Sequence, residues 1–193
     1  MQAHHAVLRE EKPWQSTPYL GMALFLISES FLFGSLFWTY FYLRGRLLPD
    51  WPPQGVQLAM VLVSINTAIL LSSSGTMQWA IGSVQRGSRG GLVLGLLATI
   101  ALGATFLGIT GWEWVHVPFR PWSHAYGSIF YTLTGFHGAH VLGGLLLLLA
   151  LLVRAWRGLV GRGRSLAVEV GGLYWHFVDA VWVGVFTSLF IIR

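Results

Sequence analysis

The polar side chains inside the apolar stretches of this 193-residue sequence include Glu29, Asn66, His137, His140, His176 and Asp179. His137 and His140 are three residues apart, as are His176 and Asp179, so on a helix each pair shares a face. Imidazole and carboxylate groups in such places have three uses. They can satisfy one another as interhelical hydrogen bonds that fix packing. A carboxyl such as Glu29, held by a histidine, can take up and release a proton. A histidine and a carboxylate at this spacing can also ligate a metal. The third use is constrained, because two histidines on one face of one helix cannot sandwich a haem. The chain also has no cysteine, which removes disulfides, thiolate metal sites, c-type haem attachment and iron–sulfur clusters. The residues predict no metal or haem site in this chain.

These groups must be positioned by membrane helices. The sequence is 54% hydrophobic and 10% charged, with a mean hydropathy of +0.63. A soluble domain carries about 25% charged residues, so the chain lacks a water-facing surface. The net charge of +5 suggests no nucleic-acid partner, because the arginines sit in short loops and form no continuous basic face. Five apolar stretches approach the ~20 residues that a bilayer crossing needs. They run from residues 19 to 43, 57 to 81, 91 to 112, 125 to 153 and 170 to 192. The expected fold is an all-α integral membrane bundle of five transmembrane helices over residues 19–193, preceded by a cytoplasmic tail over residues 1–18. The tail lacks the short apolar core and cleavage site of a secretory signal. No internal repeat of the kind common in transporters is visible.

Charge predicts the orientation. Arg9, Lys12, Arg86, Arg89, Arg154, Arg157, Arg162 and Arg164 fall on the side of the N-terminal tail; Arg44, Arg46, Arg120 and Arg193 fall on the other. This bias puts the N-terminus in the cytoplasm and the C-terminus outside. At 1.5 Å per residue, Glu29, His137, His140, His176 and Asp179 then lie about 10–16 Å from the inner face, with Asn66 also near the middle. They form a polar layer near the midplane. Trp38, Trp51, Trp79, Trp112, Trp114 and Trp122 lie near span ends, where interfacial anchors are expected. Glu113 and His116 close the third span and are expected to be exposed or interfacial.

Several segments, in order from Tyr19 to the C-terminus, resemble subunit III of the haem–copper terminal oxidases. They are Ile27-Ser-Glu-Ser-Phe-Leu-Phe-Gly34, Trp51-Pro-Pro-Gln-Gly55, Asn66-Thr67, Gly111-Trp-Glu-Trp114 and Tyr126-Gly-Ser128. The most specific are Gly135-Phe-His-Gly-Ala-His-Val-Leu-Gly143 and Tyr174-Trp-His-Phe-Val-Asp-Ala-Val-Trp182. The resemblance implies an all-helical bundle with seven spans in longer members. This chain begins at the family's third span, like short five-helix bacterial forms, so the lipid-holding cleft that the first two spans help to form depends here on other chains.

The resemblance further implies a non-catalytic subunit of a cytochrome c oxidase that reduces oxygen to water and pumps protons. Haem and copper belong to its partners, subunits I and II. Its expected roles are to stabilise subunit I, to hold phospholipid and to support proton uptake, in a bacterial cell membrane. By resemblance, Glu29 matches a carbodiimide-reactive carboxylate, His140 its partner, and Arg154 an arginine on a lipid phosphate, with Arg157 beside it. A family tryptophan at that lipid is Leu173 here. Two readings within the oxidase relatives stay open, a quinol oxidase subunit III and a nitric oxide reductase accessory protein. A small metal or proton transporter is the reading from another class.

Overall fold

The computed structural model describes residues 17–54, 56, 58–161 and 165–192. The tail up to residue 16, the expected start of the second span at Gln57, and Arg162, Arg164 and Arg193 of the charge count lie outside these. All regular structure among the described residues is helical: α1 (Thr17–Leu47), α2 (Met60–Gln85), α3 (Arg89–His116), α4 (Ala125–Trp156) and α5 (Leu166–Phe186), with α5 running on into a π-helical turn, Thr187–Ile191. Five segments are long and apolar enough to cross a membrane. Even the 26-residue α2 spans about 39 Å at 1.5 Å per residue, more than a ~30 Å hydrocarbon core.

The helices overrun the apolar stretches at most ends. Hydropathy stops at the first polar residue, but the backbone stays helical until something interrupts its hydrogen bonds. Thus α1 continues through Arg44 and Arg46 and stops at Leu47, two residues before Pro49. At the ends of α2 and α4 the interruption is glycine. Gly87 and Gly158 have φ of 79° and 73°, the left-handed conformation that an L side chain resists. Each closes a Schellman motif. Ser88 N donates to Ser83 O and Gly87 N to Val84 O at one end; Leu159 N donates to Arg154 O and Gly158 N to Ala155 O at the other.

Helices α2, α3, α4 and α5 pack in a ring, each against its neighbours, and α1 lies outside against α5 and α4. The buried residues of α1 are Leu26, Phe33 and Tyr40, seven apart, which is a single narrow seam. Leu20, Leu24, Phe31 and Trp38 on its other faces are exposed. Arg89, at the start of α3, donates from Nε to Ala155 O at 3.0 Å and from its terminal nitrogen to Trp156 O. It therefore satisfies carbonyls at the C-terminal end of α4, where a cation also suits the helix dipole.

Two sequence expectations fail here. Trp51 is not an interfacial anchor; it is 5% exposed, edge-on to Tyr40 and Tyr126, because the α1–α2 loop folds back over the bundle end. Trp114 is half-buried, and its indole N–H bonds Thr134 Oγ1 at 3.2 Å. Trp38, Trp79, Trp112 and Trp122 are exposed. Glu113, expected at the surface, is buried at 5% exposure, because the last turn of α3 turns this face into the ring. His116, one turn on, is exposed and reaches the Trp112 carbonyl.

Candidate functional site

The polar residues of the spans come together in separate groups. In the first, α1 meets α4: His140 Nε2 lies 2.9 Å from Glu29 Oε2, with the two side chains 15% and 17% exposed. His140 Nδ1 lies 2.7 Å from the Phe136 carbonyl, which can only accept, so Nδ1 carries a hydrogen. One proton is then shared between Nε2 and Glu29, in a neutral pair or an ion pair. Phe33 packs edge-on to the imidazole, and Tyr174 Oη of α5 donates to the His140 carbonyl at 2.9 Å.

A second group lies where α2, α3, α4 and α5 meet. Asn66 Nδ2 donates to Phe106 O and to Thr110 Oγ1, each at 3.2 Å. Trp182 Nε1 donates to Thr67 Oγ1 at 3.0 Å. His137 is 1% exposed and packs between the rings of Phe106 and Trp182. It does not join His140, although the two share one helix, because His140 is drawn outward to α1. Spacing at i, i+3 does not reveal this division, since it only limits which residues can meet. Thr110 donates its own hydrogen to Phe106 O at 2.9 Å, so its oxygen is left to accept from Asn66. Asn66→Asp would bring carboxylate oxygens against two acceptors. It should destabilise the bundle by about 1–3 kcal/mol, whereas Asn66→Leu should cost less. Thermal dissociation of the two variants in detergent measures the difference.

In the third group, α5 faces α2. Ser74 Oγ lies 2.9 Å from His176 Nδ1 and donates to Asp179 Oδ2. Asp179 is 3% exposed, His176 half-buried. Sequence reasoning paired His176 with Asp179 by spacing and missed Ser74, which joins them from another helix. A serine among Ser72, Ser73 and Ser74 offers no signal by itself. Among the described residues no three His, Asp or Glu side chains gather where one metal ion would sit.

Arg154 stands at the end of α4, exposed, beside an apolar groove of about 540 Å³ between α1, α4 and α5. Pro18, Met22, Leu147, Leu151 and Leu166 line it. Arg157 is exposed and caps α4 but does not line this groove. Leu173 does not line it either; it lies in a different groove, between α2 and α5.

With this arrangement of helices and polar groups in view, the kinship of the chain is decisive. The family model described as Cytochrome c oxidase subunit III matches residues 7–192. The chain belongs to that family. It is similar to "Cytochrome c oxidase subunit 3" of Thermostichus vulcanus, 37% identical over 174 residues, or 90% of this chain and 86% of that one. It is similar to "Probable cytochrome c oxidase subunit 3" of Nocardia farcinica, 37% identical over 177 residues, 90% and 87% of the two chains. It is similar to "Cytochrome c oxidase subunit 3" of Rhizopus stolonifer, 40% identical over 179 residues, 89% of this chain and 63% of that one. This chain is a subunit III of a terminal oxidase, a multi-pass membrane protein within a multisubunit complex. The transporter reading falls with that result. All three polar groups of this subunit III lie inside the matched region.

Proposed function

We propose that this subunit III is a non-catalytic part of a cytochrome c oxidase, in which it braces subunit I, holds a phospholipid and supports proton uptake. The names carried by its relatives favour a cytochrome c oxidase over a quinol oxidase or a nitric oxide reductase complex. Oxygen reduction to water and its haem and copper belong, in this reading, to the partner subunits I and II. A bacterial cell membrane is the proposed location, with the α2–α3 and α4–α5 loops on the cytoplasmic side, where the loop arginines predict them.

The observation that carries the lipid-holding role is the groove beside Arg154. Its walls come from three helices, they are mostly apolar, and among the described residues that line it the cation is Arg154, at the end of α4. An acyl chain fits such walls by dispersion contact, and a guanidinium at the mouth pairs with a phosphate through its planar fork. The chain end of Arg154 can reach the headgroup region while its methylenes stay apolar. The test is Arg154→Ala in the assembled oxidase. Phospholipid retained after purification should fall by about one molecule per complex while the subunit stays bound, since an exposed side chain away from packing contributes within about 0.5 kcal/mol. Unchanged lipid content would reduce Arg154 to an ordinary charge anchor.

A further inference from the structure

Two polar stripes face each other across the α2–α5 contact, and the lipid and Glu29 readings use neither. On α2 the stripe is Ser74, Gln78 and Gln85; on α5 it is Glu169, His176 and Asp179. The spacings of four and seven on one helix, and of seven and three on the other, keep each stripe on one helix face. Gln85 Nε2 donates to Glu169 Oε1 at 3.1 Å at the end of the bundle that carries the α2–α3 loop. From there a groove of about 210 Å³ runs inward, with Gln78, Gln85, Glu169 and His176 on its polar side and Ile81 and Leu173 among its apolar lining. On each helix the innermost residue is the least exposed. Gln85 and Gln78 are exposed, Glu169, His176 and Ser74 are half-buried, and Asp179 is buried.

The hydrogen bonds at the inner end have a direction. Ser74 has one hydrogen and donates it to Asp179 Oδ2, so His176 must present Nδ1–H to Ser74 Oγ. In the neutral ring, Nε2 is then the proton acceptor. Asp179 Oδ1 is buried and makes no hydrogen bond. A carboxyl so deep in a membrane, with half its acceptors unused, is costly unless water reaches it.

We propose that these stripes form a water-entered inlet, open at the α2–α3 loop end, through which Asp179 exchanges a proton with one aqueous phase. A hydrated proton gives its proton to His176 Nε2. His176 releases the Nδ1 proton to Ser74 Oγ, and the Ser74 hydroxyl proton passes to Asp179 Oδ2. The reverse sequence empties the site. Glu169 and Tyr19 are the other titratable groups lining the groove. Glu169 adds negative charge at the mouth, which favours cations there. The inference needs only a membrane-embedded bundle and stands apart from the lipid at Arg154.

Because the chain has no cysteine, single cysteine variants report on water access without background from this subunit. In the intact oxidase reconstituted in vesicles, Gln78→Cys, His176→Cys and Asp179→Cys are treated with a small, membrane-impermeant cationic methanethiosulfonate. Ile65→Cys, on the exposed apolar face of α2, is the lipid-facing control. The inlet variants should react at least an order of magnitude faster than the control, from one side only, because the thiolate forms only where water reaches it. Adding Gln78→Trp should plug the groove and slow the reaction of Asp179→Cys by a similar factor. If Asp179→Cys does not assemble, Ser74→Cys takes its place in both experiments. An inner cysteine that reacts no faster than Ile65→Cys, or that reacts regardless of Gln78→Trp, overturns the proposal. A groove occupied by lipid or by a partner subunit would give the first of these results.

Discussion

An oxidase carrying Trp175→Ala should lose this subunit under mild detergent conditions that leave the wild-type complex whole. Trp175 is fully buried, and its indole N–H donates to Ser73 Oγ at 2.8 Å. Its ring lies in a slot cut by two glycines. A Cβ on Gly144 would stand 2.9 Å from the ring, and one on Gly103 would stand 2.6 Å from it. Neither glycine has a side chain that can move into the space a missing indole leaves. The cavity therefore stays open, and truncation should cost about 3–5 kcal/mol. In a membrane that loss is mostly of packing contacts, because lipid already surrounds the apolar surfaces. The reverse change has the same cause: Gly144→Val forces methyls into the ring and should cost about 1–3 kcal/mol. Combining Gly144→Val with Trp175→Leu should recover part of the loss, because the two sites share one volume. The amount of subunit III that stays with the complex, read on a native gel against temperature, measures all three. Retention of Trp175→Ala at the wild-type level would mean that the α3–α4–α5 contact is not set by this side chain.

The second large effect should come from Glu29. Glu29→Leu leaves His140 Nε2 facing an apolar side chain and should lower the stability of the α1 contact by about 1–3 kcal/mol. Glu29→Gln separates the two forms of the pair. If the native pair is neutral, the glutamine amide donates to Nε2 in place of the carboxyl, and stability should stay within about 0.5 kcal/mol of wild type. If it is an ion pair, the amide replaces a charge-assisted bond, and Glu29→Gln should fall most of the way to Glu29→Leu. The stability of Glu29→Gln, measured beside that of Glu29→Leu, therefore tells the two forms apart. Oxygen consumption followed over many turnovers gives the functional readout. With Glu29→Leu it should start near the wild-type rate and decay faster, as expected when a bracing subunit loosens. A complex with intact haem and copper but no initial activity would point instead to a direct chemical role for this chain.

How much of this was legible beforehand differs from residue to residue. Hydropathy located all five helices, because a bilayer admits few other backbone arrangements and the apolar runs are long. It misplaced their ends by up to four residues, as at Leu47 and Leu166, because helical hydrogen bonding does not end where apolarity does. Gly87 and Gly158 each follow an arginine at a helix end, but Arg44-Gly45 lies within α1 and Arg89-Gly90 opens α3, so the pattern alone does not mark a cap. The pairing of Glu29 with His140 followed from depth and from resemblance. The burial of Glu113 and of Trp51 did not, since both lie where a sequence pattern shows only a span boundary.

Local sequence accounts for the set of helices, the polar types inside them and the family. Each of these depends on near neighbours in the chain or on the match of ordered motifs. The tertiary structure alone decided which polar groups meet. It sent His140 to α1 and His137 inward between Phe106 and Trp182, although the two are three residues apart. It brought Ser74 to both His176 and Asp179 across more than a hundred residues of chain. Spacing fixes which side chains share a face of one helix; the angle at which a second helix packs against that face decides the partner, and that angle is set by side chains such as Trp175 and the glycines that make room for it.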